Sequence, residues 1–267
     1  MKLNILSFDI EVLVVEEDRM PSPKKDPILM ISFCANYELY KGRKKIVLVL
    51  SRNGKNEIEE KEDKIIARFA EESSMIEKWA NIVNGCDILT GYNIAGFDIG
   101  YIYDRANALG MRGLKIGNSD DYLWNRKHVS KGLSVTTIGG IKGKIMFDVL
   151  YLLRRGDESN TIKKEYNLKN LTLKWTAKEV LNSEKLDFSI AEMQEWWKTG
   201  KDEDKFIDYC SRDSELALEF VTRFRLLDKF IMLSRRSGKL MQDIIDSQGF
   251  GGLVENLLMK EFRKVER

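Results

Sequence analysis

The sequence predicts an α/β domain with a helical second half, and three observations carry that expectation. Residues about 3–14 alternate strongly and are rich in Ile, Leu and Val, the signature of a half-buried strand. A helical pattern over about 73–84 then leads into a short apolar run, Cys86-Asp87-Ile88-Leu89-Thr90-Gly91, which reads as a buried strand. From Phe147 onward the pattern is mostly helical. Strands first, a helix crossing between strands, then helices, give one α/β domain elaborated by C-terminal helices.

The remaining elements follow in order. Residues 28–37 and 45–51 read as two further strands joined by Lys/Arg-rich turns. Residues 53–64 read as a charged loop or the frayed start of a helix. The helix over 73–84 carries Ile76, Trp79, Ala80 and Val83 at helical spacing. Another helix is expected from about 97 to 109. Residues 113–145 are polar, Gly-rich and irregular, with a hairpin expected around Gly139-Gly140. No repeat or low-complexity tract interrupts the chain.

Composition narrows the function classes. A chain of 267 residues that is 43% hydrophobic builds a real core, which excludes a disordered polymer. Charged residues make up 32% with a net charge of +2, so no general affinity for polyanions is implied. Nucleic-acid contact would need local basic patches. Candidates are Lys24-Lys25, Arg43-Lys44-Lys45, Arg126-Lys127 with Lys131, and Arg154-Arg155, each of which also reads as an ordinary solvated face. Cys34, Cys86 and Cys210 are odd in number and widely spaced, which indicates neither a disulfide framework nor a zinc site. A reducing, cytoplasmic setting fits them. One histidine, His128, excludes multi-histidine metal sites and argues against Ser-His-Asp chemistry. The N-terminal apolar run is interrupted by Asp9 and Glu11, so it is not a signal peptide, and no segment approaches a membrane span.

Three acidic clusters stand out: Ser7-Phe8-Asp9-Ile10-Glu11, Tyr92-Asn93-Ile94-Ala95-Gly96-Phe97-Asp98, and Tyr209-Cys210-Ser211-Arg212-Asp213. In the first strand, alternation puts Leu3, Ile5, Ser7, Asp9 and Glu11 on one face and Asn4, Leu6, Phe8, Ile10 and Val12 on the other. Two carboxylates side by side on a central strand repel each other, and a divalent cation would remove that penalty. A strand end emerging into water would remove it too. Over about 203–225, Tyr209 and Asp213 fall one turn apart on the apolar stripe of Phe206, Cys210, Ala217, Phe220 and Phe224. Asp213 either faces a metal shared with Asp9 and Glu11 or sits at the rim, paired with Arg212 or solvent. Asp98 reads locally as a first-turn aspartate favoured by the helix dipole.

Taken together, these residues resemble the 3′→5′ exonuclease domain of family B DNA polymerases, in the tyrosine subtype of the DEDD superfamily. Phe8-Asp9-Ile10-Glu11 resembles its first motif, Tyr92-Asn93 with Phe97-Asp98 its second, and Tyr209 with Asp213 its third. Asp26-Pro27-Ile28-Leu29-Met30-Ile31-Ser32, Gly143-Lys144-Ile145-Met146-Phe147-Asp148 and the stretch from Leu168 to Leu181 resemble further family segments. Gln248 and Val254-Glu255-Asn256-Leu257-Leu258 resemble the junction with the polymerase domain.

The resemblance implies a ribonuclease H-like fold, with a mixed central sheet flanked by helices, over 1–225 and a helical extension over 226–267. It implies a nucleoid-associated protein that acts on the 3′ end of single-stranded or frayed DNA with two Mg²⁺ or Mn²⁺ ions. Asp9, Glu11 and Asp213 would hold one ion and Asp9 with Asp98 the other, while Tyr209 would hydrogen-bond the attacking water. Asn93 and Phe97 would touch the terminal nucleotides, though Phe97 reads equally as a core residue, and Tyr122 and Trp124 would stack on unpaired bases. No Asp-Thr-Asp or Ser-Leu-Tyr-Pro-like segment appears, so DNA synthesis by this polypeptide alone is not expected. The alternatives are a docking module or piece of a split polymerase, partnered by a separate polymerase subunit, and an RNA-trimming exoribonuclease.

Overall fold

The computed structural model describes residues 3–14, 19–111, 114, 116–117, 124–131, 134–141, 143–154, 160–183, 188–246 and 251–265. The first strand, β1 (Ile5–Val12), pairs antiparallel with β2 (Ile28–Ala35), which pairs antiparallel with β3 (Lys45–Leu50). Two strands follow where a loop or helix start was expected: β4 (Glu57–Glu60) and β5 (Ile65–Phe69). β5 runs parallel to β3, and β4 closes that side as an edge strand paired only to β5. Its Glu-Ile-Glu-Glu sequence lacks a buried face, with Ile58 63% exposed, so it leaves no hydrophobic period to read.

Helix α1 (Glu72–Asn84) leads into β6 (Ile88–Gly91), which lies parallel to β1. Helix α2 (Asp98–Ala108) follows, and β9 (Ile145–Asp148) adds in parallel on the far side of β6. The seven-stranded sheet therefore runs β4-β5-β3-β2-β1-β6-β9, mixed in direction and with β1 inside it. Between α2 and β9 lies a separate hairpin, β7 (Trp124–Lys131) with β8 (Ser134–Ile141). The hairpin expected around Gly139-Gly140 is thus present, with its turn lying elsewhere. These residues sit within β8, opposite Arg126 and Asn125, and the chain reverses between Lys131 and Ser134.

Layers form because each face of the sheet is apolar. Leu6, Phe8, Ile10 and Val12 bury against α1 and α2, where Phe8 meets Trp79 edge-on at 5.7 Å. Each such fully buried large side chain stabilises the fold by about 1.5–3 kcal/mol. The opposite face is covered by α6 (Ile190–Thr199) and α7 (Glu203–Arg223) through Met193, Trp196, Phe206, Ile207 and Cys210. Beyond β9 come α3 (Val149–Arg154), α4 (Asn160–Glu165), α5 (Leu173–Thr176) and a π-helical turn (Ala177–Leu181). Then α8 (Leu226–Ser237), α9 (Met241–Asp246) and α10 (Gly251–Val265) complete the chain. Phe230 of α8 meets Phe147 of β9 edge-on at 5.4 Å, so these helices continue the core on the α7 side. Among the described residues no helix is long and apolar enough to cross a membrane.

Candidate active site

β1 supplies the first two carboxylates. Its apolar face is buried under α1 and α2, which forces Asp9 and Glu11 to the α7 side, where both are half-buried. The register slips by one residue beside them: Glu11 opposes Met30, but Val12 opposes Ile28. Such a bulge re-aims the neighbouring side chains. Asp9 opposes Ser32, whose hydroxyl donates to the Cys210 carbonyl at 2.7 Å and so ties β2 to α7. One ligand atom each of Asp9, Glu11 and Cys210 lies within 4.8 Å of the others.

The second contribution comes from α7. Asp213 is only 4% exposed, which removes the rim alternative. Arg212 turns instead to Glu215 at 3.1 Å and to the Ser183 hydroxyl at 2.8 Å. Tyr209, one turn earlier, lies half-buried beside Phe188 at 5.9 Å and Phe206 at 6.3 Å. Burial, followed by the negative charges of Glu11, Asp213 and Asp9, holds its hydroxyl far above the ordinary phenol range. The ring therefore sits among the carboxylates of both elements.

Asp98 completes the group. It is 3% exposed, and its Oδ1 accepts the backbone N–H of Ile10 at 3.1 Å, between Asp9 and Glu11 in sequence. Its carboxylate is thus turned onto β1, beyond the plain first-turn role. Burial raises its pKa to about 7, with Asp148 and Asp213 adding repulsion. The loop before it carries Asn93 with φ of 69°, a left-handed conformation that Asn tolerates. Gly96 leaves room for the Asn93 side chain, since a Cβ there would lie 2.3 Å from Asn93 Oδ1 and push that amide aside. Phe97 is half-buried and packs on Tyr101 at 5.3 Å. Tyr122 lies outside the described residues, as does the side chain of Trp124, the first residue of β7.

Asp9, Glu11, Asp98, Tyr209 and Asp213 are therefore brought into one electrostatic neighbourhood from β1, α2 and α7. Two residues were given no role in this neighbourhood by the sequence reading. Cys210 enters the cluster because its place on the stripe turns it toward β1 and β2. Asp148 enters at the end of β9, and its position before a helix start was the only signal. Crowded, buried carboxylate oxygens fit a hard divalent cation such as Mg²⁺ or Mn²⁺. The Cys210 thiol, pushed well above its usual range by burial and then by Glu11 and Asp9, stays protonated and neutral.

Residues 1–174 match the family described as DNA polymerase family B, exonuclease domain. The chain belongs to this family. Its mixed seven-stranded sheet with flanking helices is the ribonuclease H-like fold of such exonuclease domains. The chain is 30% identical over 252 residues to the DNA polymerase delta catalytic subunit of Plasmodium falciparum, covering 89% of this chain and 21% of that protein. It is 29% identical over 262 residues to DNA polymerase 1 of Sulfurisphaera ohwakuensis, covering 97% of this chain and 27% of that protein. It is 28% identical over 263 residues to a DNA polymerase of Pyrococcus glycovorans, covering 97% of this chain and 29% of that protein. This family B exonuclease domain thus spans less than a third of the length of these relatives.

Proposed function

We propose that this domain is a metal-dependent 3′→5′ exonuclease acting on single-stranded or frayed DNA ends. The observation that carries this reading is the convergence of carboxylates from β1, α2 and α7, with Asp98 bonded to the backbone between Asp9 and Glu11. Asp9, Glu11 and Asp213 are the proposed ligands of one divalent ion, and Asp9 with Asp98 of a second. Bound there, two such ions would offset charge on the attacking and leaving oxygens. In the reaction a water oxygen bonds to the terminal phosphorus, the bond to the preceding 3′ oxygen breaks, and a nucleoside 5′-monophosphate leaves. Tyr209 stays protonated and donates a hydrogen bond to that water, so it positions and does not act as base. Asn93 and Phe97 meet the terminal nucleotides, and Tyr122 with Trp124 stack on unpaired bases.

The test is digestion of a 5′-labelled single-stranded DNA oligonucleotide with and without Mg²⁺, beside Asp9→Ala. A metal-dependent ladder that is lost in the variant supports the reading. No shortening by folded wild-type protein with Mg²⁺ sinks it. A matched RNA strand in parallel separates DNA from RNA trimming.

A second reading concerns residues 226–267, proposed as a junction that packs on a polymerase domain. Its support is the exposed apolar series Val254, Leu258 and Phe262 on α10, with Phe262 65% exposed. Co-purification with a family B polymerase domain that is lost on deleting α10 supports it, and binding that survives the deletion refutes it.

A further inference from the structure

Asp148 ends β9 directly beside Gly91, the last residue of β6, in parallel register. Only glycine fits where the chain leaves β6, because a Cβ at Gly91 would lie 2.7 Å from the Phe8 carbonyl and 2.2 Å from Ile94. The Asp148 carboxylate receives the turn that follows. Its Oδ1 accepts the backbone N–H groups of Asn93 and Tyr151, both at 3.1 Å, and its Oδ2 accepts that of Ala95 at 2.9 Å. β9 is itself pinned to β6 by the Thr90 hydroxyl, which donates to the Phe147 carbonyl at 2.6 Å. The residue is 5% exposed, so these bonds are sheltered from water. Its charge repels Asp98 and works against ionisation of the acidic site. What it supplies to the site is therefore geometry.

We propose that Asp148 is a positioning residue for the substrate strand: it sets the 92–97 loop so that Asn93 and Phe97 present their side chains to the 3′-terminal nucleotides. This rests on the nuclease reading above. Both carboxylate oxygens are used as acceptors, so asparagine, which replaces one oxygen with a donor, turns an N–H toward an N–H and frees one end of the loop. Asp98 keeps its separate tether to Ile10, so the reacting centre stays assembled while the loop moves.

The experiment compares wild type and Asp148→Asn. One readout is the KM and kcat for a short single-stranded DNA. Another is the dissociation constant of the same fluorescent strand in Ca²⁺ by anisotropy. The third is amide hydrogen exchange at residues 93–97. Expected are rises of about tenfold in both KM and Kd, with kcat within about threefold and faster exchange in the loop. A merely structural role lowers the folded fraction and the apparent kcat together, with KM unchanged and Kd unchanged once referred to the concentration of folded protein, and that result overturns the proposal. Should Asp148→Asn fail to fold, Asp148→Glu keeps both acceptor oxygens but moves them by one methylene away from the Asn93 and Ala95 N–H groups and is read identically: KM and Kd must rise, and unchanged values overturn the proposal. Wild-type protein that binds the strand but never shortens it defeats the nuclease reading alone, because the Kd and exchange readouts still decide the role of Asp148.

Discussion

The backbone N–H of Ile10 donates to Oδ1 of Asp98 at 3.1 Å, joining the first turn of α2 to the strand that carries Asp9 and Glu11. This bond commits one Asp98 oxygen and holds the carboxylate on the strand. Asp98→Asn keeps the acceptor and removes the charge. It is expected to hold the fold while lowering nuclease activity by a factor of about 10² or more. Single-turnover digestion with circular dichroism beside it checks this, and an active Asp98→Asn refutes the assignment.

The raised pKa of Asp98 sets an acid limb. Below about 7 the group holds its proton and is a poor metal ligand, so the rate should fall as pH drops through that value. More Mg²⁺ competes with the proton and should move the limb to lower pH. A rate profile from pH 5.5 to 8.5 at two Mg²⁺ concentrations tests both, and a limb indifferent to Mg²⁺ counts against Asp98 as its source.

The same shift has a stability consequence with the opposite sign from an ordinary paired carboxylate. Between the usual carboxylate range and about 7, folded Asp98 keeps a proton that the unfolded chain has released. The metal-free protein therefore loses stability as pH rises across that window, and the loss is complete above it. Asp98→Asn removes the effect. Melts in EDTA should show the variant several degrees more stable than wild type at pH 8 and nearly equal at pH 4.5. Equal shifts at both values would exclude this account.

The Tyr209 hydroxyl stays protonated throughout the working range, so in the proposed mechanism it serves as a donor. Tyr209→Phe retains the ring against Phe188 and Phe206 and removes only the donor. A fall in kcat of roughly 10- to 1,000-fold is expected, with KM and pH profile little changed. A shifted pH limb instead would mean that the phenol takes part in proton transfer.

Glu72 and Arg105 form a buried pair at 2.7 Å, and Glu72 also accepts the Ile28 N–H at 2.8 Å. Arg105→Ala strands that carboxylate under α1 and α2. A loss of about 3–5 kcal/mol is expected in urea unfolding. A loss below about 1 kcal/mol would show that water reaches Glu72 freely.

Much of the architecture was written in periodicity. The two-residue alternation of β1 put Asp9 and Glu11 on the face opposite Phe8, and the helical period of α7 put Tyr209 and Asp213 on the inner stripe. Both signals survive because one face of each element is buried. β4 was illegible because an edge strand with exposed Glu57, Ile58 and Glu60 has no buried face to register. Gly139 and Gly140 misled because glycine marks turns by its freedom, yet here it lies within a ladder. The bonds from Asp148 to Asn93 and Ala95 cross 55 and 53 residues, and no local pattern announces a contact of that span.

Ile10 and Asp98 stand 88 residues apart, and Ser32 meets Cys210 across 178. A ribosome must therefore release α2 before Ile10 can meet Asp98, and most of the domain before Ser32 can meet Cys210. Until α7 emerges and docks, a growing chain carries Asp9, Glu11 and Asp98 without Tyr209 and Asp213, so the proposed site is incomplete. The long closures that slow such an assembly thus also delay completion of the proposed site until most of the domain has been made.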